Sequence, residues 1–162
     1  MKFKIRLATL GDIEKIVKIY SEWGKFKGIL PDCLTIGDSY DDLIKFFDGT
    51  NDSRRYLLAE NESNEAIGVC YIDLIFLGYN NIRLGDMMVK EKYRKMGVGG
   101  ALVDKVIDYA KENNVNKIWL WTQEELKDAI RLYEKKEFVF EGRQKNQFCN
   151  KDTLLYGLVA ES

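Results

Sequence analysis

Met87-Met88-Val89-Lys90-Glu91-Lys92-Tyr93-Arg94-Lys95-Met96-Gly97-Val98-Gly99-Gly100-Ala101-Leu102 reads as the end of a buried strand, a short basic loop, and glycines that open an amphipathic helix. Glycine carries no Cβ, so the backbone there can come close to a ligand. The first amides of a helix have no carbonyl partner inside it and point outward, and the helix dipole adds partial positive charge. Lys92, Arg94 and Lys95 set full charges beside them. The stretch therefore describes a seat for phosphate. A P-loop is disfavoured, because Gly99-Gly100-Ala101 supplies neither the lysine nor the hydroxyl that loop needs. A dinucleotide fingerprint is disfavoured too. Leu102 stands where a third small residue belongs, and residues 118–122 offer no acid to hold a ribose. A plain tight turn with glycines chosen for sterics is the bland alternative.

Outward from this stretch the hydrophobic spacing alternates between strand and helix periods. Residues 2–8 read as a first strand with Phe3, Ile5 and Leu7 on one face. Thr9 or Asp12 caps a helix carrying Ile13, Ile16, Val17, Tyr20 and Trp23, and residues 25–37 form a loop or irregular helix broken by Gly28 and Pro31. A second helix spans 39–47, and residues 54–60 and 66–76 make a hairpin. Residues 82–89 are the strand that feeds the glycine loop, and residues 99–113 are the helix behind it, burying Leu102, Val103, Val106, Ile107 and Ala110. A strand with two tryptophans follows at 117–122, then a helix at 124–136 with Leu126, Ala129, Ile130 and Tyr133 on one face. Residues 138–140 and 153–159 close the chain as two strands joined by a polar link. The order is β-α-α-β-β-β-α-β-α-β-β, an α/β chain expected to form a single domain over 1–162 around a mainly antiparallel sheet flanked by helices.

Composition narrows the chemistry. The net charge of -1 argues against general attraction to nucleic acid or membrane. No apolar run approaches the roughly 20 residues that span a bilayer, and the N-terminus alternates like a strand and not a signal peptide, so the expected location is cytoplasmic. Cys33, Cys70 and Cys149 have no metal-like spacing, and no metal is expected. The chain contains no histidine, which removes Ser-His and Cys-His catalysis together. Carboxylates, tyrosine, lysine, cysteine, backbone or water must carry any reaction.

Arg94-x-x-Gly97-x-Gly99 directly after a Val-ended strand, together with the element order, resembles the GNAT superfamily of N-acetyltransferases across essentially the whole chain. The resemblance implies acetyl-CoA as co-substrate and an acyl transfer by direct attack in a ternary complex. In that family the strand before the phosphate loop and the strand after the next helix splay apart, and the pantetheine arm enters the gap. By this resemblance Met87, Met88 and Val89 bond the pantetheine through their backbone. The amides of Arg94, Lys95, Met96, Gly97, Val98, Gly99 and Gly100 hold the pyrophosphate. Ala129-Ile130-Arg131-Leu132-Tyr133-Glu134-Lys135 resembles the family helix whose tyrosine protonates the leaving sulfur, although spacing alone favours Tyr133 as a core residue. Asp86 is the candidate general base, or a structural acid paired with Arg83 or another cation; Asp73 is the weaker candidate for the same task. Three family positions differ: Glu91 replaces a common proline, Leu126 an asparagine that bonds the cofactor, and Glu137 a glycine before the last phenylalanine.

The acceptor side falls on the first two helices and the last strands. Tyr20, Trp23, Phe26 and Tyr40 beside Glu22, Asp32, Asp38, Asp41 and Asp42 suit a cationic amine, or form core and solvated surface. A small-molecule amine, an amino acid and a peptide N-terminus all remain open as acceptor. A non-catalytic acyl-CoA sensor on the same fold is the alternative from a different class. The aromatic content permits a homodimer without requiring one.

Overall fold

A computed structural model describes residues 1–22, 40–74, 77–148 and 150–160. Trp23, Phe26, Asp32, Cys33, Asp38 and Cys149, with the expected loop at 25–37, lie outside the described residues. The elements run β1 (Phe3–Leu7), α1 (Ile13–Tyr20), α2 (Tyr40–Phe47), β2 (Arg54–Asn61), β3 (Ala66–Asp73), β4 (Asn81–Val89), α3 (Val98–Glu112), β5 (Lys117–Gln123), α4 (Lys127–Lys135), β6 (Val139–Phe148) and β7 (Lys151–Val159). The order is the one the hydrophobic spacing predicts. The strands form one seven-stranded sheet in the order β1-β2-β3-β4-β5-β7-β6, and every pairing is antiparallel except β4 with β5.

Two apolar layers sandwich the sheet, because alternate residues of each strand point to opposite faces. Ile67, Cys70, Ile72, Ile82, Leu84, Ile118 and Leu120 meet Leu102, Val103, Val106 and Ala110 of α3 and Tyr133 of α4. On the other face, Tyr56, Leu58, Val69 and Tyr71 meet Ile13, Ile16, Ile19 and Tyr20 of α1 and Leu43 of α2. The start of α1 is pinned by charge. The guanidinium of Arg6 donates to both oxygens of Asp12 (2.7 and 2.8 Å) and both of Glu60 (2.8 and 2.9 Å), and Lys15 adds a bond to Glu60 at 2.7 Å. Asp12 and Glu60 are buried, so these partners replace their lost hydration.

The largest departure from the sequence reading is at the end of the chain. The polar link expected after residue 140 is strand: β6 runs on to Phe148 as the outer edge of the sheet. Residues 141–147 are nearly all exposed, so no alternation of apolar residues marks them. The backbone bonds of β7, and not burial, hold that segment extended, with register shifts after Phe140 and Gln144. α4 is also shorter than its periodicity suggests, starting at Lys127 after a turn through residues 124–126.

Candidate functional site

β4 and β5 pair only through Asn81–Lys117, Ile82–Ile118 and Arg83–Trp119. Beyond these pairs the strands part, and among the described residues the edge of β4 from residue 84 onward has no strand beside it on that side. A bulge marks the same place. Between the Val69–Met88 and Tyr71–Gly85 pairs the register slips, and Asp86 takes a left-handed φ of 39°. The slip turns Met88 toward the α1 layer while Met87 and Val89 pack toward α3. The Tyr20 hydroxyl donates to the Asp86 carbonyl at 3.0 Å, so α1 braces the bulge from behind. A cavity of about 970 Å³ fills the opening and runs from the glycine loop to the end of β5. That volume suits a large organic ligand.

The loop below the opening is held by its surroundings. Tyr93 donates to Glu65 at 2.5 Å, and Lys90 reaches the same carboxylate at 3.1 Å. These partners hold the Glu65 carboxyl down to about 2, with the tyrosine bond the largest cause. Arg94 donates from Nε to the Val89 carbonyl at 3.0 Å, tying the loop to the strand that precedes it. Gly97 caps α3 with φ 87°, a conformation that a side chain resists. Ala101 is the first residue to close a helical bond, to Gly97 at 3.0 Å. The amides of Val98, Gly99 and Gly100 ahead of it therefore find no acceptor within the helix.

Among the residues the sequence singles out, Asp86, Met87, Met88, Val89, Arg94, Lys95, Gly97, Gly99, Gly100 and Tyr133 line the cavity together. The Met96 side chain is exposed and that of Val98 is buried in the α3 layer; neither lines it, so the seat expected from the sequence could use only their amides. Lys95 stands in solvent, 3.8 Å from Asp128. Asp73 pairs with Arg83 at 2.9 Å, and Arg83 also donates to the Tyr71 hydroxyl at 2.8 Å. The pairing considered for Arg83 with Asp86 thus goes to Asp73. Of the expected acceptor aromatics, Tyr20 is a buried brace and Tyr40 is exposed.

Tyr133 is 7% exposed, on the inner face of α4. Burial pushes its phenol well above the ordinary tyrosine range, and Cys70 and Asp86 nearby add to the shift. It therefore stays protonated at neutral pH. Its position is fixed by the end of α4. The Phe138 amide donates to the Tyr133 carbonyl and the Glu137 amide to that of Glu134, both at 3.0 Å, the two bonds of a Schellman cap. The Phe138 ring packs against the Tyr133 ring at 6.0 Å. Glu137 sits at φ 67°, the left-handed position where the resembling family carries glycine.

Sequence reasoning missed the residues on the far side of the opening. Ile118 and Leu120 face α3, so Trp119, Trp121 and Gln123 face the other way. Trp121 stacks on Phe148 at 4.8 Å, and Gln123 lies opposite Thr153 in the register. Arg83 and Gly85 share that face. The Tyr71 ring occupies the space where a Cβ on Gly85 would stand, and Arg54 and Arg83 lie over the ring at 4.2 and 5.4 Å. The only signal in the sequence is the parity of residues along β5, which has no meaning until the helices are placed.

Comparison with known proteins agrees with this architecture. Spermidine N-acetyltransferase from Vibrio cholerae, solved with CoA and spermine, superposes with a TM-score of 0.80 at 19% identity, covering 98% of this chain and 95% of that one. The ribosomal-protein-S18-alanine N-acetyltransferase from Escherichia coli superposes at 0.78 with 15% identity, covering 99% and 96%. At such identities the likeness speaks to the fold. Streptothricin acetyltransferase A from Bacillus subtilis (strain 168) is 40% identical over 76 residues, 47% of this chain, and the chain spans only 43% of that relative's length in the match. Residues 19–138 match the acetyltransferase (GNAT) family, a span that runs from α1 through the phosphate loop to the cap behind Tyr133. On that match, and with the sheet that accompanies it, the chain belongs to the GNAT family of acetyltransferases.

Proposed function

We propose that the protein moves the acetyl group of acetyl-CoA to a primary amine by direct attack within a ternary complex. The observation that carries this reading is the parting of β4 from β5 directly above the glycine-opened helix, with Tyr133 lining the gap. The residues fit the co-substrate: helix-start amides for its phosphates, a strand edge with no neighbouring strand among the described residues for its amide-bearing arm, and a cavity large enough for both. Acetyl-CoA supplies a thioester, whose carbon is open to attack and whose sulfur leaves.

Val98, Gly99 and Gly100 hold the phosphates through their amides, and the edge of β4 through Met87, Met88 and Val89 receives the arm as an added strand. Backbone amides at the bulge polarise the carbonyl to be attacked. Tyr133 keeps its proton because it is buried, and gives it to the departing sulfur. Asp86, half-buried at the bulge, takes the proton released by the amine, directly or through a water. Among the named relatives, the spermidine and the ribosomal-protein-S18-alanine enzymes are N-acetyltransferases, and streptothricin is the third named acceptor; a nitrogen acceptor is in keeping with these names.

The test is calorimetric titration with acetyl-CoA, with NAD and ATP as controls, followed by a thiol-release assay on spermidine, streptothricin, lysine and an alanine-initial peptide. Micromolar binding of acetyl-CoA alone and turnover of one amine is the expected result. Binding without turnover of any amine would leave a CoA-binding module instead of an enzyme. A folded protein that binds no acetyl-CoA would sink the reading altogether.

A further inference from the structure

Gln123 is the last residue of β5 and is only 1% exposed, yet it lines the cavity. Its Nε2 is directed at the Thr153 hydroxyl across the strand pair, at 3.4 Å. Its Oε1 is buried with no hydrogen-bond partner among the described residues. A buried carbonyl oxygen without a donor has lost its hydration with nothing in return, and native proteins rarely leave one so. A donor brought by a ligand removes that cost. The direction of the side chain says which ligand. Residues of β5 that face α3 and α4, Ile118 and Leu120, belong to the side of Tyr133 and the phosphate seat. Gln123 points to the opposite face with Trp121, whose ring stacks on Phe148 and walls the same end of the cavity.

We propose that Gln123 Oε1 accepts a hydrogen bond from an N–H of the acceptor amine, beside the apolar wall of Trp121, and so helps to select and orient the acceptor. This deepens the reading of the site as an N-acetyltransferase and rests on it. An amide suits the task better than a carboxylate. It orients the N–H without stabilising the ammonium form, and only the neutral amine attacks. Thr153, fully buried, fixes the other end of the amide so that the oxygen is presented in one direction.

The test compares wild type with Gln123→Leu and Gln123→Glu, using acetyl-CoA and whichever of spermidine or streptothricin the wild type turns over. Gln123→Leu should raise KM for the amine about tenfold, with the calorimetric Kd for acetyl-CoA and the melting temperature close to wild type. Gln123→Glu keeps an acceptor oxygen, so its amine KM should stay within about threefold of wild type. Its acidic limb of kcat/KM should move to higher pH, because the carboxylate holds the amine protonated. An unchanged amine KM in Gln123→Leu would overturn the proposal while leaving acetyl transfer intact. So would equal losses in both variants, which mark a packing role against Thr153, or a loss confined to acetyl-CoA affinity, which assigns the oxygen to the pantetheine arm. Failure of the wild type to turn over either amine removes this proposal for these acceptors, and failure to bind acetyl-CoA at all removes the enzyme reading first.

Discussion

The two sides of the β4–β5 opening are made of different material. On the α3 side the ligand surface is mostly main chain: the amides of Val98, Gly99 and Gly100, the positive-φ Gly97, and the free edge of β4. On the α1 side it is side chain: Trp121 on Phe148, Gln123 on Thr153, and Arg83 held by Asp73 and Tyr71. A main-chain surface serves a ligand whose shape never changes. A side-chain surface can be altered residue by residue while the sheet stays put. Tyr133 lines the same cavity, and the proposed reaction places its hydroxyl where the two sides meet.

Substitutions can break this division or sharpen it. The largest effect is expected at the junction. Tyr133→Phe should lower kcat in the thiol-release assay by about 100-fold. The Kd for acetyl-CoA and the KM for the amine should each stay within about twofold, because the ring and its packing on Phe138 remain.

A substitution remote from both sides should cost stability and spare each binding step alike. Glu60→Gln removes a buried carboxylate bonded to Arg6 and Lys15, and should destabilise by about 2 kcal/mol in urea unfolding. The cost falls below that of a fully buried pair because Arg6 keeps Asp12 and is one-third exposed (33%). Hydrogen bonds from Arg6, then Lys15, hold the Glu60 carboxyl down to about 2 from the usual 4.5. A carboxyl lowered in the fold stabilises fully above its unfolded value, and that contribution fades as pH falls through the folded one. The difference in melting temperature between wild type and Glu60→Gln should therefore be constant above pH 4.5 and narrow from there toward pH 2.

On the main-chain side, Gly97→Val places a branched residue at φ 87°. The Kd for acetyl-CoA should weaken about tenfold, the size of one strained backbone position. Its amine KM should not follow; a joint rise would show that the two sides are not separable. The smallest effect is a gain. Glu137→Gly relieves a left-handed glutamate at the cap of α4 and should add about 0.5–1 kcal/mol of stability without moving kcat.

The same division decides what the sequence revealed. Gly97, Gly99 and Gly100 stand together in the chain, so the glycine-opened helix that lines the cavity is visible as a motif. The element order is visible because α1, α3 and α4 each present a clear apolar stripe to the sheet. Gln123 and Thr153 are neighbours only through strand pairing, and neither residue type marks itself as functional. The extended part of β6 was hidden for another reason: its residues are polar on both faces, and pairing to β7 alone keeps them in line. The role of Glu137 was half-visible. A missing glycine could be seen in the sequence, but not the positive φ that makes it matter.

For anyone redesigning acceptor choice, Gly85 divides the α1 side into ground that can be built on and ground that cannot. The Tyr71 ring fills the place of a side chain at this position, and two guanidinium groups rest on that ring. Any replacement of Gly85 would shift the ring and carry both cations with it, changing charge and shape in one step. A combinatorial library should therefore hold Gly85 and Tyr71 constant and spend its diversity on Trp121 and Gln123. There each side chain has one neighbour to adjust, Phe148 for Trp121 and Thr153 for Gln123, and no charge moves with it.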